Sequence, residues 1–73
     1  MNFTEHARRR MKEMGLSPTD VIHVVEHAEV DYVQPRYQGQ RLAKCGGISV
    51  AYEPDERLVI TVLYNTQAEY GRP

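Results

Sequence analysis

The stretch His6-Ala7-Arg8-Arg9-Arg10-Met11-Lys12-Glu13-Met14-Gly15-Leu16-Ser17-Pro18-Thr19-Asp20-Val21 decides how this chain folds. Phe3, Ala7, Met11 and Met14 recur at helical spacing and form one apolar stripe. His6 and Arg10, four residues apart, share the flank beside that stripe. Gly15 supplies a residue that takes positive φ just past a helix end. Ser17 and Asp20 read as a capping box, with Pro18 at the first helical position. Leu16 and Val21 fall where a hydrophobic staple joins the flanking residue to the first turn. The expectation is a helix over 5–14 with Thr4 as its N-cap, a one-turn break, and a second helix over 18–28.

Outward from that pair, Val21, Val24, Val25 and Ala28 make the second apolar stripe, with Ile22 at its edge. The β-branched residues in this window weaken helix propensity, so packing must hold the element. After Glu29 the period changes to two, and 30–34 reads as a strand whose far end Pro35 confines to an edge or bulge. Gln38-Gly39-Gln40 turns the chain into a strand over 41–45, and Gly46-Gly47 is a two-residue hairpin signal. Ile48, Val50 and Tyr52 alternate with Ser49 and Ala51 in the next strand, 48–53. Pro54-Asp55-Glu56 turns again. The most apolar run, within 57–64, is expected centrally in the sheet and covered on both faces. The sum is an α+β domain over 1–64: two N-terminal helices on one face of a four-stranded antiparallel meander, then a polar tail, 65–73. The uncovered face, carrying some of Ser49, Ala51, Val59, Thr61 and Leu63, would be a shallow concavity able to seat a ligand.

Seventy-three residues, 41% of them hydrophobic, make one small folded domain near the lower limit for a single core. No apolar run approaches the ~18 residues of a membrane span, and no secretory h-region opens the chain. With Cys45 as its one cysteine, an internal disulfide is impossible and a reducing cytoplasm is the natural setting. The three histidines and Cys45 fit no zinc spacing, so neither a metal nor another cofactor is expected.

The net charge of −1 does not point to nucleic acid, but the charges are segregated. Arg8, Arg9, Arg10 and Lys12 cluster on the first helix, and Arg36, Arg41 and Lys44 fall on the proposed hairpin. Acids gather at Asp20, Glu26, Glu29 and Asp31 and again at Glu53, Asp55 and Glu56. A locally positive face on a near-neutral molecule is one outcome. A solvated helix face is the other.

The pattern His-Ala-x-x-Arg-Met, then Gly-Leu-Ser, two residues and Asp-Val, resembles a small bacterial domain-of-unknown-function family grouped with RelE-type and colicin-type ribonuclease toxins, the barnase–EndoU–colicin–RelE fold. The likeness covers 3–28 and returns at Leu58-Val59-Ile60-Thr61-Val62. It implies two helices before a curved antiparallel sheet, and toxin-like ribonuclease activity. One departure is Met14, where family members often carry Arg directly before the Gly, which removes one candidate phosphate-binding cation.

Metal-free RNA cleavage needs a base for the ribose 2′-hydroxyl, an acid for the leaving 5′-oxygen, and donors on the phosphate. His6 suits the proton transfers, since imidazole titrates near pH ~6.5. It would sit in the first helical turn, whose positive end attracts a phosphate. Arg10, one turn on, would brace the phosphorane with its fork of donors. Thr61 matches the family's C-terminal strand residue and would donate to a phosphate oxygen. Arg9, Lys44 and Tyr64 are the substrate-binding candidates, Lys44 as a second cation and Tyr64 as a proton relay. Each also has a plain structural reading: His6 packs or caps, Arg10 pairs with Glu13, and Thr61 is a good strand residue. Tyr32, Tyr37, Tyr52 and Tyr64 could stack bases or fill core and rim. Cys45 has no His–acid partner in sequence, and His23 and His27 read as non-catalytic.

The leading expectation is a cytoplasmic, metal-independent endoribonuclease of toxin type. Its partners would be RNA, with the ribosome as one setting, and a cognate antitoxin. The rival is a non-catalytic, phage- or mobile-element-encoded module that inhibits a host protein. DNA binding through the first helix is disfavoured, because that helix also carries the core stripe.

Overall fold

The computed structural model describes residues 1–64 of the chain; the tail expected at 65–73 lies outside them. The elements run β1 (Asn2–Phe3), α1 (Glu5–Met14), α2 (Pro18–Glu26), β2 (Val30–Val33), β3 (Arg41–Cys45), β4 (Ile48–Glu53) and β5 (Leu58–Tyr64). Local chemistry sets the helix ends. Thr4 is extended and its hydroxyl accepts from the Ala7 amide, capping α1. Gly15, at φ 71°, ends the helix in the left-handed conformation, and the Leu16 amide donates to the Met11 carbonyl. Ser17 and Asp20 form the reciprocal capping box, with bonds of 2.9 and 3.1 Å. The second helix stops at Glu26, short of the expected 28, with His27 as its C-cap.

The sheet corrects the expected architecture. It has five strands in the order β1-β5-β4-β3-β2, and it is mixed, because β1 lies parallel to β5 while all other pairs are antiparallel. Two residues, Asn2 and Phe3, are too few to carry a period, so nothing local announced this strand. Its bonds are long-range: the Asn2 amide donates to the Arg57 carbonyl at 2.8 Å and the Thr4 amide to Val59 at 3.0 Å. β5 is therefore second from one side rather than central, and β4 is the middle strand.

Both helices pack on one sheet face. Ala7 and Met11 of α1 and Val21 and Val24 of α2 bury against Ala43, Val50, Tyr52, Val59 and Val62. A β-bulge in β5 breaks its alternation, for Tyr52 pairs with Val59 and Ala51 with Thr61, leaving Ile60 as the extra residue. Val59, which simple alternation puts on the open face with Thr61 and Leu63, is consequently fully buried under the helices.

Beyond its short pairing with β1, the outer edge of β5 is covered by α1. The Thr4 hydroxyl donates to the Ile60 carbonyl at 2.7 Å and Arg10 Nε donates to the Val62 carbonyl at 3.2 Å. Side chains thus satisfy carbonyls of a strand edge that would otherwise invite another chain. Among the described residues no helix is long and apolar enough to cross a membrane.

Candidate functional site

The bulge that sends Val59 inward turns Ile60 and Thr61 toward the other side of the sheet, where the chain forms a pocket of about 400 Å³. That volume lies within the ordinary range for small-molecule sites, roughly 300–1,000 Å³. Leu42 and Ala51 lie between two polar ends. At the β5 end stand His6 and Thr61, with Ile60 and Leu63. At the β2–β3 end stand Gln34, Tyr37 and Gln40.

His6 reaches this place because of Thr4. That residue's amide, bonded to Val59, and its hydroxyl, bonded to Ile60, anchor the start of α1 beside the bulge. The first turn then places the exposed His6 in the lining of the same pocket as Thr61. The Thr61 hydroxyl is buried yet has no hydrogen-bond partner. A buried polar atom left unpaired costs about 1–3 kcal/mol, so a fold retaining one has a cost that a ligand or a water can relieve.

The other expected site residues are placed differently. Arg10 is absent from the pocket lining, with its side chain 22% exposed. Its guanidinium bonds the Val62 carbonyl and pairs with Glu13 at 3.1 Å. The expected cluster of imidazole, guanidinium and hydroxyl is thus only partly assembled, because the Val62 carbonyl and Glu13 engage the guanidinium. Arg9 is solvent-facing, with Glu5 3.9 Å away. Lys44 is buried outside the pocket lining, its amine 5.8 Å from the centre of the Tyr32 ring, a cation–π contact. Tyr64 closes β5 opposite Ile48 and does not line the pocket.

Of the tyrosines considered for base stacking, Tyr37 is half-exposed at the pocket and Tyr52 is not available at all. Tyr52 is buried on the helix side and donates to Asp31 Oδ2 at 2.6 Å. Arg41 holds the same carboxylate, Nε to Oδ1 at 2.8 Å. Burial, and then the bond to Asp31, push the Tyr52 phenol above its ordinary value, while Asp31 raises Arg41. This network locks β2 onto β3 and β4. His23 of α2 and its C-cap His27 stack on each other at 4.3 Å, outside the pocket lining. Cys45 packs against the core.

Gln34 and Gln40 are the polar pocket residues that the sequence did not single out, as Leu42 and Ile60 are the apolar ones. The two glutamines bracket the turn from Pro35 to Gly39, and only that symmetrical placement hinted at their meeting. Among the described residues, no group of three His, Cys, Asp or Glu side chains is gathered as a metal ion would need.

A family model described as a domain of unknown function (DUF4258) matches residues 3–64. Comparison with curated proteins found no match, and neither did comparison with solved structures.

Proposed function

The chain belongs to the DUF4258 family, and we propose that it is a small toxin-like endoribonuclease that cuts RNA by 2′-hydroxyl attack without a metal. The observation that carries this reading is the meeting of an exposed imidazole, His6, and an unpartnered buried hydroxyl, Thr61, in one pocket. His6 takes the proton of the ribose 2′-hydroxyl. The O2′–P bond forms and the P–O5′ bond breaks, giving a 2′,3′-cyclic phosphate and a 5′-hydroxyl. The imidazolium returns its proton to the leaving 5′-oxygen. Thr61 donates its otherwise unused hydrogen to a non-bridging phosphate oxygen. Arg10 acts as a positioning residue: by bonding the Val62 carbonyl it fixes α1, and with it His6, against Thr61. Arg9, one turn from His6 and open to solvent, is suited to the RNA backbone. The likeness to RelE-type toxins belongs to this same reading, as do a cytoplasmic site of action, the ribosome as a setting for the RNA, and a cognate antitoxin.

The decisive experiment incubates purified protein with total RNA, with and without EDTA, beside His6→Ala. Cleavage in both buffers, with cyclic phosphate ends and loss in the variant, is the expected result. Cleavage that EDTA abolishes, or that His6→Ala retains, overturns the proposal.

One observation favours a second reading, a non-catalytic module that binds a host protein. The edge strand β2 leaves Val30 and Val33 exposed, and such an edge can accept a partner's strand. In that case His6→Ala is silent and Val33→Lys abolishes capture of one stoichiometric partner.

A further inference from the structure

The β2–β3 end of the pocket has features that phosphate chemistry does not use. The Gln34 amide donates to the Gln40 carbonyl at 2.9 Å, so the two residues are held opposite each other across the turn. Their side chains meet as well, Gln34 Nε2 donating to Gln40 Oε1 at 3.4 Å. That single bond orients both carboxamides and leaves a Gln34 oxygen acceptor beside Gln40 N–H donors. An adjacent donor and acceptor on a fixed support is what the hydrogen-bonding edge of a nucleobase requires. Tyr37, half-exposed on the same turn, offers an aromatic face for stacking. Leu42 and Ala51 provide an apolar floor between this end and His6.

From β5 to β2 is three inter-strand steps, about 14 Å. The pocket therefore runs as a trough across the sheet, with a proton-transfer end and a hydrogen-bonding end joined by an apolar bed.

We propose that Gln34, Gln40 and Tyr37 form a nucleobase-reading subsite. It takes the base of the nucleotide whose ribose carries the attacking 2′-hydroxyl, and so sets which base lies 5′ of the cut. This rests on the reading that His6 and Thr61 receive that ribose and its phosphate. The base stacks on Tyr37 and hydrogen-bonds to the free oxygen of Gln34 and the free N–H of Gln40. Phosphate and sugar lie toward β5. The apolar bed excludes water from the bond-making edge, which lets two carboxamides discriminate between bases.

The test is an NMR titration of the full chain with each of the four nucleoside 3′-monophosphates and with ribose 5-phosphate as the base-free control. One nucleotide is expected to bind at least about tenfold more tightly than ribose 5-phosphate, the gain that stacking and edge recognition supply. It should shift the side-chain amide signals of Gln34 and Gln40 and the ring signals of Tyr37. Gln34→Leu/Gln40→Leu is expected to level the four nucleotides while ribose 5-phosphate binding stays the same. Equal binding of all five ligands, with shifts confined to His6 and Thr61, overturns the subsite and leaves the nuclease reading intact. Base-dependent shifts at the glutamines, with no cleavage of RNA by the wild-type chain, sustain base reading by Gln34, Gln40 and Tyr37 but overturn the nuclease and with it the subsite's part in choosing a cut. Absence of any shift in the pocket overturns both.

Discussion

Thr61 keeps a hydroxyl oxygen out of solvent with nothing to bond, in a pocket that His6 also lines. Replacing that hydroxyl by a methyl group removes an unsatisfied polar atom and keeps the shape. Thr61→Val is therefore expected to leave stability unchanged or raise it by up to about 1 kcal/mol in urea unfolding. The same change should slow RNA cleavage by about 10²-fold, the usual cost of losing one donor to a developing anion. A variant that is both less stable and fully active would mean that the hydroxyl serves the fold. His6, exposed and outside the core, is the complementary case. His6→Ala should lose about 10²–10⁴ in cleavage rate while its melting temperature moves by no more than a few degrees. The sequence singles out His6 by its place in an amphipathic turn and Thr61 through the resemblance, and the structure places both in the lining of one pocket. The companionship of Arg10 was not legible in the sequence. Spacing puts Arg10 on the flank shared with His6, but an uncovered strand edge supplies a better acceptor than open solvent, and no local pattern reveals that.

Among elements, β5 holds most of what sequence periodicity could not reach. The helices were readable because caps are local: Thr4, Gly15, Ser17, Pro18 and Asp20 act within a turn of themselves. Register is not local. The extra residue Ile60 lets Val59 and Thr61 face opposite layers although they stand two apart. A matched pair of substitutions reads this out. Val59→Thr places a hydroxyl among Val50, Val62 and the helices, and is expected to cost about 1–3 kcal/mol, in contrast to the neutral or favourable Thr61→Val. Equal responses at both positions would contradict the bulge. Thr4→Val tests the other half of the same junction. It removes the α1 cap and the bond to Ile60 together, and should destabilise by about 1–2 kcal/mol while also lowering cleavage, since His6 loses its anchor.

For the molecule as a whole, Asp20 and Tyr52 each make stability depend on pH, one at the acid end of the scale and one at the alkaline end. The Ser17 amide and hydroxyl hold the Asp20 carboxylate below its ordinary value of 3.8. A depressed carboxylate contributes stability that is complete above the unfolded value and fades as pH falls through the folded one, so Asp20→Asn should flatten the acid limb of a stability–pH curve. Tyr52 is displaced upward from 10.0, chiefly by burial and then by its bond to Asp31. Its contribution is complete below pH 10.0 and disappears as pH rises through the higher folded value. Tyr52→Phe should cost about 1.5–3 kcal/mol near neutrality, for the lost bond to a carboxylate, and should erode less at alkaline pH than the parent. Circular dichroism melts from pH 3 to 11 measure both limbs. The five-stranded mixed sheet was the part of the global design hidden from the sequence, because the β1–β5 junction joins positions 56 residues apart. That separation has a temporal meaning as well. In the order of synthesis the imidazole comes first, and Thr61 and the strand that carries it follow more than fifty residues later. A chain in which that strand has not yet docked holds half a pocket, so His6 and Thr61 come to line one cavity only once the sheet is complete.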